Sequence, residues 1–586
     1  MVSRFASRLA IPILIVLVAV GSTLRLTHLD GKVFWIDEVH SALRIAGYGK
    51  EEVTQVLTDR SSAPRAPDLL RPTDLLAYWQ PRRDRAPLGG VDVVVALATD
   101  NPQHPPAYYL LARAVLAVWP DPIAAARWTA AALSLLALPA IAWLAWELFH
   151  SLPVAIVATG LMAVSPVQIL YAQEAREYSL LTVAVAVASA LLLRAVRLEG
   201  RRKWRSAVVP WGLYGLSVAV GLYVHPLFAY GVLAHGVFMV WVNGLRWTPA
   251  IAQFLVAIAA ALAAYVPWIV VYLLHFDGMG WLSRSPEWGS LFQRWALVLT
   301  VPFIDLQPFY GDRLVDVQTG RDAIALGWGG WLLAVVPTVV LVALSFFGLW
   351  VRAIGVARPF ITCLTLVPWL CLWLPDLVDG GQRATVARFL MPAYVGLYLL
   401  VAFAVAHWLA GDRRYVSGTS LRIHRGFSVP WGGLLALAIA IAGLGTAIAG
   451  HGSATSWTKY SSYYEPEVAA IVQEAEQPLI LAATDKATRL MGLSAELLRY
   501  PREGQKTANA QANSQGNSQK SQGSGDRVRF LLLEKPYVPE QFPEGFDRIF
   551  LYQPYRELME GLQAAGWPLE VRHGPGQLVE VLRRDA

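Results

Sequence analysis

The sequence predicts a mainly α-helical, polytopic transmembrane bundle followed by a small C-terminal α/β domain, and three observations predict it. Of 586 residues, 55% are apolar or aromatic and only 16% are charged, against about 25% charged in a soluble protein. The apolar residues come in blocks of about twenty, the length of helix that crosses a bilayer. Strand-like segments with polar flanks are confined to the part after residue 450. This composition excludes a wholly soluble enzyme, a disordered chain and a fibrous protein.

Taken in order, the apolar runs predict about 11 spans, near 9–27, 123–147, 153–171, 178–197, 207–224, 226–242, 250–273, 329–351, 360–376, 389–409 and 430–450. The first run follows Arg4 and Arg8 but continues through Thr23, Leu24, Arg25 and Leu26 without a small-residue cleavage site, so it reads as a retained signal-anchor helix. With the N-terminus inside, the short inner segments carry Arg4, Arg8, Arg197, Arg201, Arg202, Lys203, Arg205, Arg246, Arg352, Arg358, Arg413, Arg414, Arg422 and Arg425. The short outer turns carry only Arg176, Arg383 and Arg388. Fourteen against three places the N-terminus in the cytoplasm and the C-terminus outside. The net charge of +7 is therefore a matter of topology, with no nucleic-acid partner implied. Cys363 and Cys371 share one helical run, where eight residues rise about 12 Å, too far for a disulfide.

This topology makes residues 1–450 a membrane domain with two long outer loops, 28–122 and 274–328, and residues 451–586 a soluble extracytoplasmic domain. In that domain Leu479–Ala483, Val528–Leu533, Arg548–Tyr552 and the runs 568–572 and 577–582 read as strands. Segments 465–476 and Glu557–Ala565 read as helices. The Gln-, Asn-, Ser- and Gly-rich insert 504–525 is too polar to fold and is expected to be disordered.

Polar chemistry gathers on the outer side. Asp37 and Glu38 follow the first span, and two adjacent carboxylates beside a bilayer are either solvated at an interfacial turn or used. At the end of the same loop, His104 precedes Pro105 and Pro106, and Ala107–Trp119 is too short to span, so it reads as an interfacial helix with His104 at its start, as cap or as contact. The turn between the third and fourth spans holds Tyr171, Glu174, Arg176, Glu177 and Tyr178, more polar groups than a connection requires. His225, Arg383 and Arg388 lie at the same level. Cations there oppose the positive-inside tendency and suit either an anionic phosphate or lipid headgroups.

In their order and common side, Asp37-Glu38, His104-Pro105-Pro106, the Tyr171–Tyr178 turn and Arg388-Phe389-Leu390-Met391-Pro392 resemble the GT-C superfamily of polyprenol-linked glycosyltransferases. The resemblance is to bacterial relatives of protein O-mannosyltransferases and lipid A aminoarabinose transferases (glycosyltransferase family 39), and it spans residues 9–410. It implies a GT-C-type bundle in a plasma (inner) membrane that moves a sugar, with inversion, from a polyprenyl-phosphate-linked sugar donor to a lipid, glycan or protein acceptor. It also implies Asp37 as the general base, with Glu38 beside it and Glu174 at a second acidic position. His104, Arg176, Tyr178, His225, Arg383 and Arg388 are the substrate and phosphate candidates. One departure is His104, where aminoarabinose transferases carry Lys before the Pro pair.

The chemistry agrees: a hydroxyl nucleophile needs a carboxylate, and a phosphate leaving group needs cations. No cofactor is required. A divalent metal is compatible, with Asp37 and Glu174 as its candidate ligands, and no His or Cys cluster has metal-ligand spacing in the sequence. Two rival classes are a transporter or flippase of lipid-linked sugars, which would carry ionisable groups at the midplane of its spans, and an inactive membrane sensor whose function lies in the tail.

Overall fold

Each of the eleven apolar stretches is helical in the computed structural model, which describes residues 2–61, 69–82, 90–199, 208–276, 278, 280–283, 286–314, 326–410, 430–499 and 527–582. Among the described residues, six helices are long and apolar enough to cross a membrane: Pro122–Phe149, Tyr178–Glu199, Pro249–His275, Trp328–Arg352, Ala357–Val378 and Ala387–Trp408. A seventh candidate is the pair Leu152–Val164 and Pro166–Ala172, bent by 57°. The other four expected spans match shorter apolar helices, Ile11–Leu26, Val208–Val224, Phe228–Asn243 and Leu437–His451. The expectation of about 11 spans rests on these four, of which a 17-residue helix reaches only about 25 Å. Ala387–Trp408 is enclosed on every side, whereas Pro249–His275 turns most of its surface outward.

The bend follows from the sequence. Pro166 cannot continue the ladder and forces Ser165 into extended backbone (φ −65°, ψ 123°), so the carbonyls before it lose their partners. Arg25, buried near the end of the first helix, donates to the carbonyls of Ala163 (2.5 Å) and Met162 (2.8 Å). Gly21 lets the first helix come this close: a Cβ there would lie 2.1 Å from the Ala163 oxygen.

The loop expected at 28–122 contains helices Ile36–Ala46, Lys50–Ser61, Pro72–Leu76, Val91–Asp100 and Ala107–Val118, and that expected at 274–328 contains Trp288–Thr300. After residue 451 comes a five-stranded sheet: β1 (Pro478–Ala483), β2 (Arg529–Leu533), β3 (Arg548–Tyr552), β4 (Leu569–His573) and β5 (Leu578–Val581). The order is β2-β1-β3-β5-β4, with β1 parallel to both neighbours and the remaining pairs antiparallel. Helix Ala487–Arg499, absent from the sequence reading, follows β1. Leu70 pairs with Phe530 and extends the β2 edge. One apolar core joins Phe34, Val39, Leu43, Tyr108 and Tyr109 to Val468, Ile480, Leu490 and Phe530, so the sheet and the 28–122 segment fold against each other. The insert 504–525, and Arg201, Arg202, Lys203, Arg205, Arg413, Arg414, Arg422 and Arg425, lie outside the described residues.

Candidate functional site

Asp37 and Glu38 open the helix Ile36–Ala46, where the unpaired amides of a first turn favour carboxylates. Their surroundings differ. Glu38 is fully buried and accepts four hydrogen bonds: Nε and Nη2 of Arg127 (both 2.8 Å), the amide of Ala175 (2.8 Å) and Nζ of Lys459 (2.7 Å). Burial alone would raise its pKa, but Arg127 and Lys459 outweigh that and hold it down to about 2. Asp37 remains 23% exposed and pairs through Oδ2 with Nη2 of Arg388 at 3.2 Å. Burial pushes it up, and Arg388, then Arg176, His40 and His104, bring it below the usual carboxylate range.

Arg388 is buried against the faces of Trp35 and Phe389. Arg176, held by the turn after the broken helix, donates to the Asp37 carbonyl (3.3 Å) and to Ser41 Oγ (3.3 Å). Gln173 ties that turn to the first helix through the carbonyls of Leu24 (2.6 Å) and Thr27 (2.8 Å). Glu174 is 0% exposed, and neither of its oxygens has a hydrogen-bond partner. Burial lifts its pKa to about 7, with Lys459 and Arg388 opposing and Glu38 and Asp37 reinforcing the rise.

A second group adjoins the first. Glu177, which the sequence reading noted without giving it a role, accepts from His104 Nδ1 (2.6 Å) and from the Tyr109 hydroxyl (3.2 Å), with Arg176 Nη2 at 3.6 Å and His225 Nε2 at 3.5 Å. Trp268 Nε1 donates to the Pro102 carbonyl (2.9 Å) and fixes the segment that carries His104. Burial lowers His104 to about 4 and His225 to about 3, so both rings are neutral near pH 7. Tyr178 packs edge-on against Tyr171, tilted against His225 and under the Arg176 guanidinium. Arg383 stands apart, donating to Asp376 Oδ1 (3.1 Å) and the Gly380 carbonyl (3.0 Å).

The fold therefore gathers Asp37, Glu38, Glu174, His104, Arg176, Tyr178, His225 and Arg388 at one end of the bundle, next to the C-terminal domain. It adds Arg127, Glu177 and Lys459, which the sequence reading did not put forward. Arg127 had a signal, a cation just inside an apolar span. Lys459 had only its place in an aromatic stretch.

His104, Glu177 and His225 bring one ligand atom each within 4.8 Å of one another, a grouping that their spacing in the sequence conceals. The set suits a divalent cation poorly. His225 Nδ1 accepts from the Leu227 amide, which leaves the proton on the Nε2 that faces Glu177. Arg176 Nη2 already lies against the His104 ring (3.1 Å). The metal candidates Asp37 and Glu174 likewise have Arg388 and Lys459 as neighbouring cations.

Around Asp37, several buried polar atoms lack partners: Trp35 Nε1, His40 Nε2, both Glu174 oxygens, and Nε of Arg176 and of Arg388. Such atoms are rare in folded proteins.

The sequence matches no protein-family model and no curated protein. Among solved structures it is similar to ArnT from Cupriavidus metallidurans bound to undecaprenyl phosphate, with 11% identity, 97% of each chain covered and a TM-score of 0.48. The apo state of that protein gives 12% identity, the same coverage and a TM-score of 0.49. The Archaeoglobus fulgidus oligosaccharyltransferase tethered with an acceptor peptide is similar at 11% identity and a TM-score of 0.46 over 83% of this chain. The match spans 63% of the oligosaccharyltransferase's length.

Proposed function

We propose that the chain is a membrane glycosyltransferase of the GT-C type, transferring a sugar from a polyprenyl monophosphate donor to an acceptor hydroxyl at the outer face, with inversion and with Asp37 as general base. The observation that carries this reading is the pair Asp37–Arg388, a partly exposed carboxylate 3.2 Å from a buried guanidinium, ringed by unpartnered polar atoms. A carboxylate that stays ionised can take the proton of an incoming hydroxyl, while guanidinium groups bind the phosphate that leaves. Arg388 and Arg176 hold the phosphate oxygens. The anomeric carbon passes from phosphate oxygen to acceptor oxygen, and the acceptor proton goes to Asp37. Trp35, Glu174 and His40 face the sugar hydroxyls, and neutral His104 orients Arg176.

Glu38, with every hydrogen bond taken, positions Asp37 rather than accepting a proton. Arg383, tied to Asp376, serves the fold and not the donor. No step needs a metal. The mannosyltransferase-like specificity raised by the resemblance remains one candidate among sugars and acceptors.

The test is transfer of radiolabel from a panel of polyprenyl-phosphate sugars by the purified protein and by Asp37→Asn. The variant should lose on the order of 10²- to 10⁴-fold in rate while remaining folded. Near-normal turnover would remove Asp37 as base, and no transfer by the unaltered protein from any donor would overturn the reading.

A further inference from the structure

The segment that presents Asp37 is held from the C-terminal side of the chain at almost every residue. The Val33 amide donates to the Ala454 carbonyl (2.7 Å), the Phe34 amide to Glu496 Oε1 (3.4 Å) and the Ile36 amide to Ser462 Oγ (3.2 Å). Arg499 Nη2 donates to the Lys32 carbonyl at 2.7 Å. Lys459 enters deepest: fully buried, it donates to the Val33 carbonyl (3.1 Å) and to Glu38 Oε2 (2.7 Å). Its turn, Trp457–Ser462, is braced by Arg489 Nη1 on the Ser461 carbonyl (2.9 Å).

Glu38 thus joins three parts of the molecule: a membrane helix through Arg127, the turn after the broken helix through Ala175, and the C-terminal domain through Lys459. Asp37 immediately precedes it on the same helical turn, so the direction of its carboxylate follows from how Glu38 is tied.

We propose that Lys459 is a positioning residue for the Asp37 site, by which the seated C-terminal domain fixes Glu38 and so aims the Asp37 carboxylate. The inference rests on the reading of Asp37 as the base. It makes the C-terminal domain part of the reaction centre and not a separable binding module. A ligand or partner that shifts this domain would act on turnover through the same lysine.

The experiment compares full-length protein with Lys459→Met and Lys459→Arg. Since a misplacement of 1 Å can cost about 100-fold in rate, kcat of the Met variant should fall by about that factor, with the donor KM within about 3-fold because Arg388 and Arg176 are untouched. Lys459→Arg, which keeps the charge, should recover at least about a tenth of the rate. In parallel, amide exchange across residues 33–41 should quicken in the Met variant while residues 391–408 keep the protection of the unaltered protein. Lys459→Gln replaces Lys459→Met should the latter not purify.

A kcat within about 3-fold of the unaltered protein, or unchanged exchange at 33–41, overturns the proposal. If the unaltered protein transfers no sugar from any donor, the glycosyltransferase reading falls, and the exchange comparison alone decides whether Lys459 holds the segment.

Discussion

At the scale of single residues, adjacent carboxylates are given different tasks by their neighbours. Asp37 has one cation at its carboxylate and some access to solvent; Glu38 has two cations, an amide and none. The sequence offers both as a pair, and only the distances separate the partly exposed carboxylate from the anchored one. Glu174 is a third case, buried without a partner. Its pKa stands near 7 in the fold against 4.5 as the ordinary value, so the folded chain binds this proton more tightly than the unfolded one. Stability therefore falls as pH rises from 4.5 to 7, and the loss is complete above that range. Glu174→Gln removes the charge that is penalised, so its melting temperature relative to the unaltered protein should climb between pH 5 and pH 8. The gain corresponds to on the order of 1 to 3 kcal/mol. A difference that stays flat across this range would show that Glu174 does not titrate there. Its unpartnered state could not be read from sequence, because it depends on what residues 38, 388 and 459 do with their own charges.

At the scale of elements, the site is positioned by an interruption. Pro166 breaks the helix, Arg25 takes up the freed carbonyls, and the short second half delivers the turn with Glu174, Arg176 and Glu177 to the end of the bundle. The close crossing at Gly21 is what allows this. Gly21→Ala would push a methyl group into the Ala163 carbonyl, 2.1 Å away, and the expected loss is about 1 to 3 kcal/mol, read as a lower melting temperature in detergent. A variant as stable as the parent would mean that the two helices separate freely. Much at this scale was legible, because twenty-residue apolar blocks and short apolar runs bounded by polar residues are strong signals. Helix Ala487–Arg499 was not read, although Leu490, Leu493 and Leu497 recur at helical spacing along its buried face. Within 28–122 the expected interfacial helix Ala107–Trp119 is present as Ala107–Val118, whereas Ile36–Ala46, Lys50–Ser61, Pro72–Leu76 and Val91–Asp100 are short segments that were not read as helices.

At the scale of the whole molecule, the division at residue 450 that composition draws is crossed by the core. Phe34 and Tyr108 pack with Ile480 and Phe530, and Leu70 extends the β2 edge. A chain ending at Gly452 should therefore be recovered aggregated, and 453–586 expressed alone should fail to form a compact domain, both judged by size-exclusion chromatography. A monodisperse 1–452 would restore the two-part description. The gathering of His104, Glu177 and His225, and of Glu38 with Arg127 and Lys459, lay beyond sequence reasoning for the same cause: tertiary contacts between distant residues leave no local pattern. The bond between Lys459 and Glu38 closes over 421 positions of chain, and this has a bearing on biogenesis. At roughly 5 to 20 residues per second, a ribosome needs roughly 20 to 85 seconds after making Glu38 to supply its last counter-charge. Throughout that interval the nascent protein holds its acidic turn unfinished, so the cluster around Glu38 closes only once the segment that carries Lys459 has been made and has reached it.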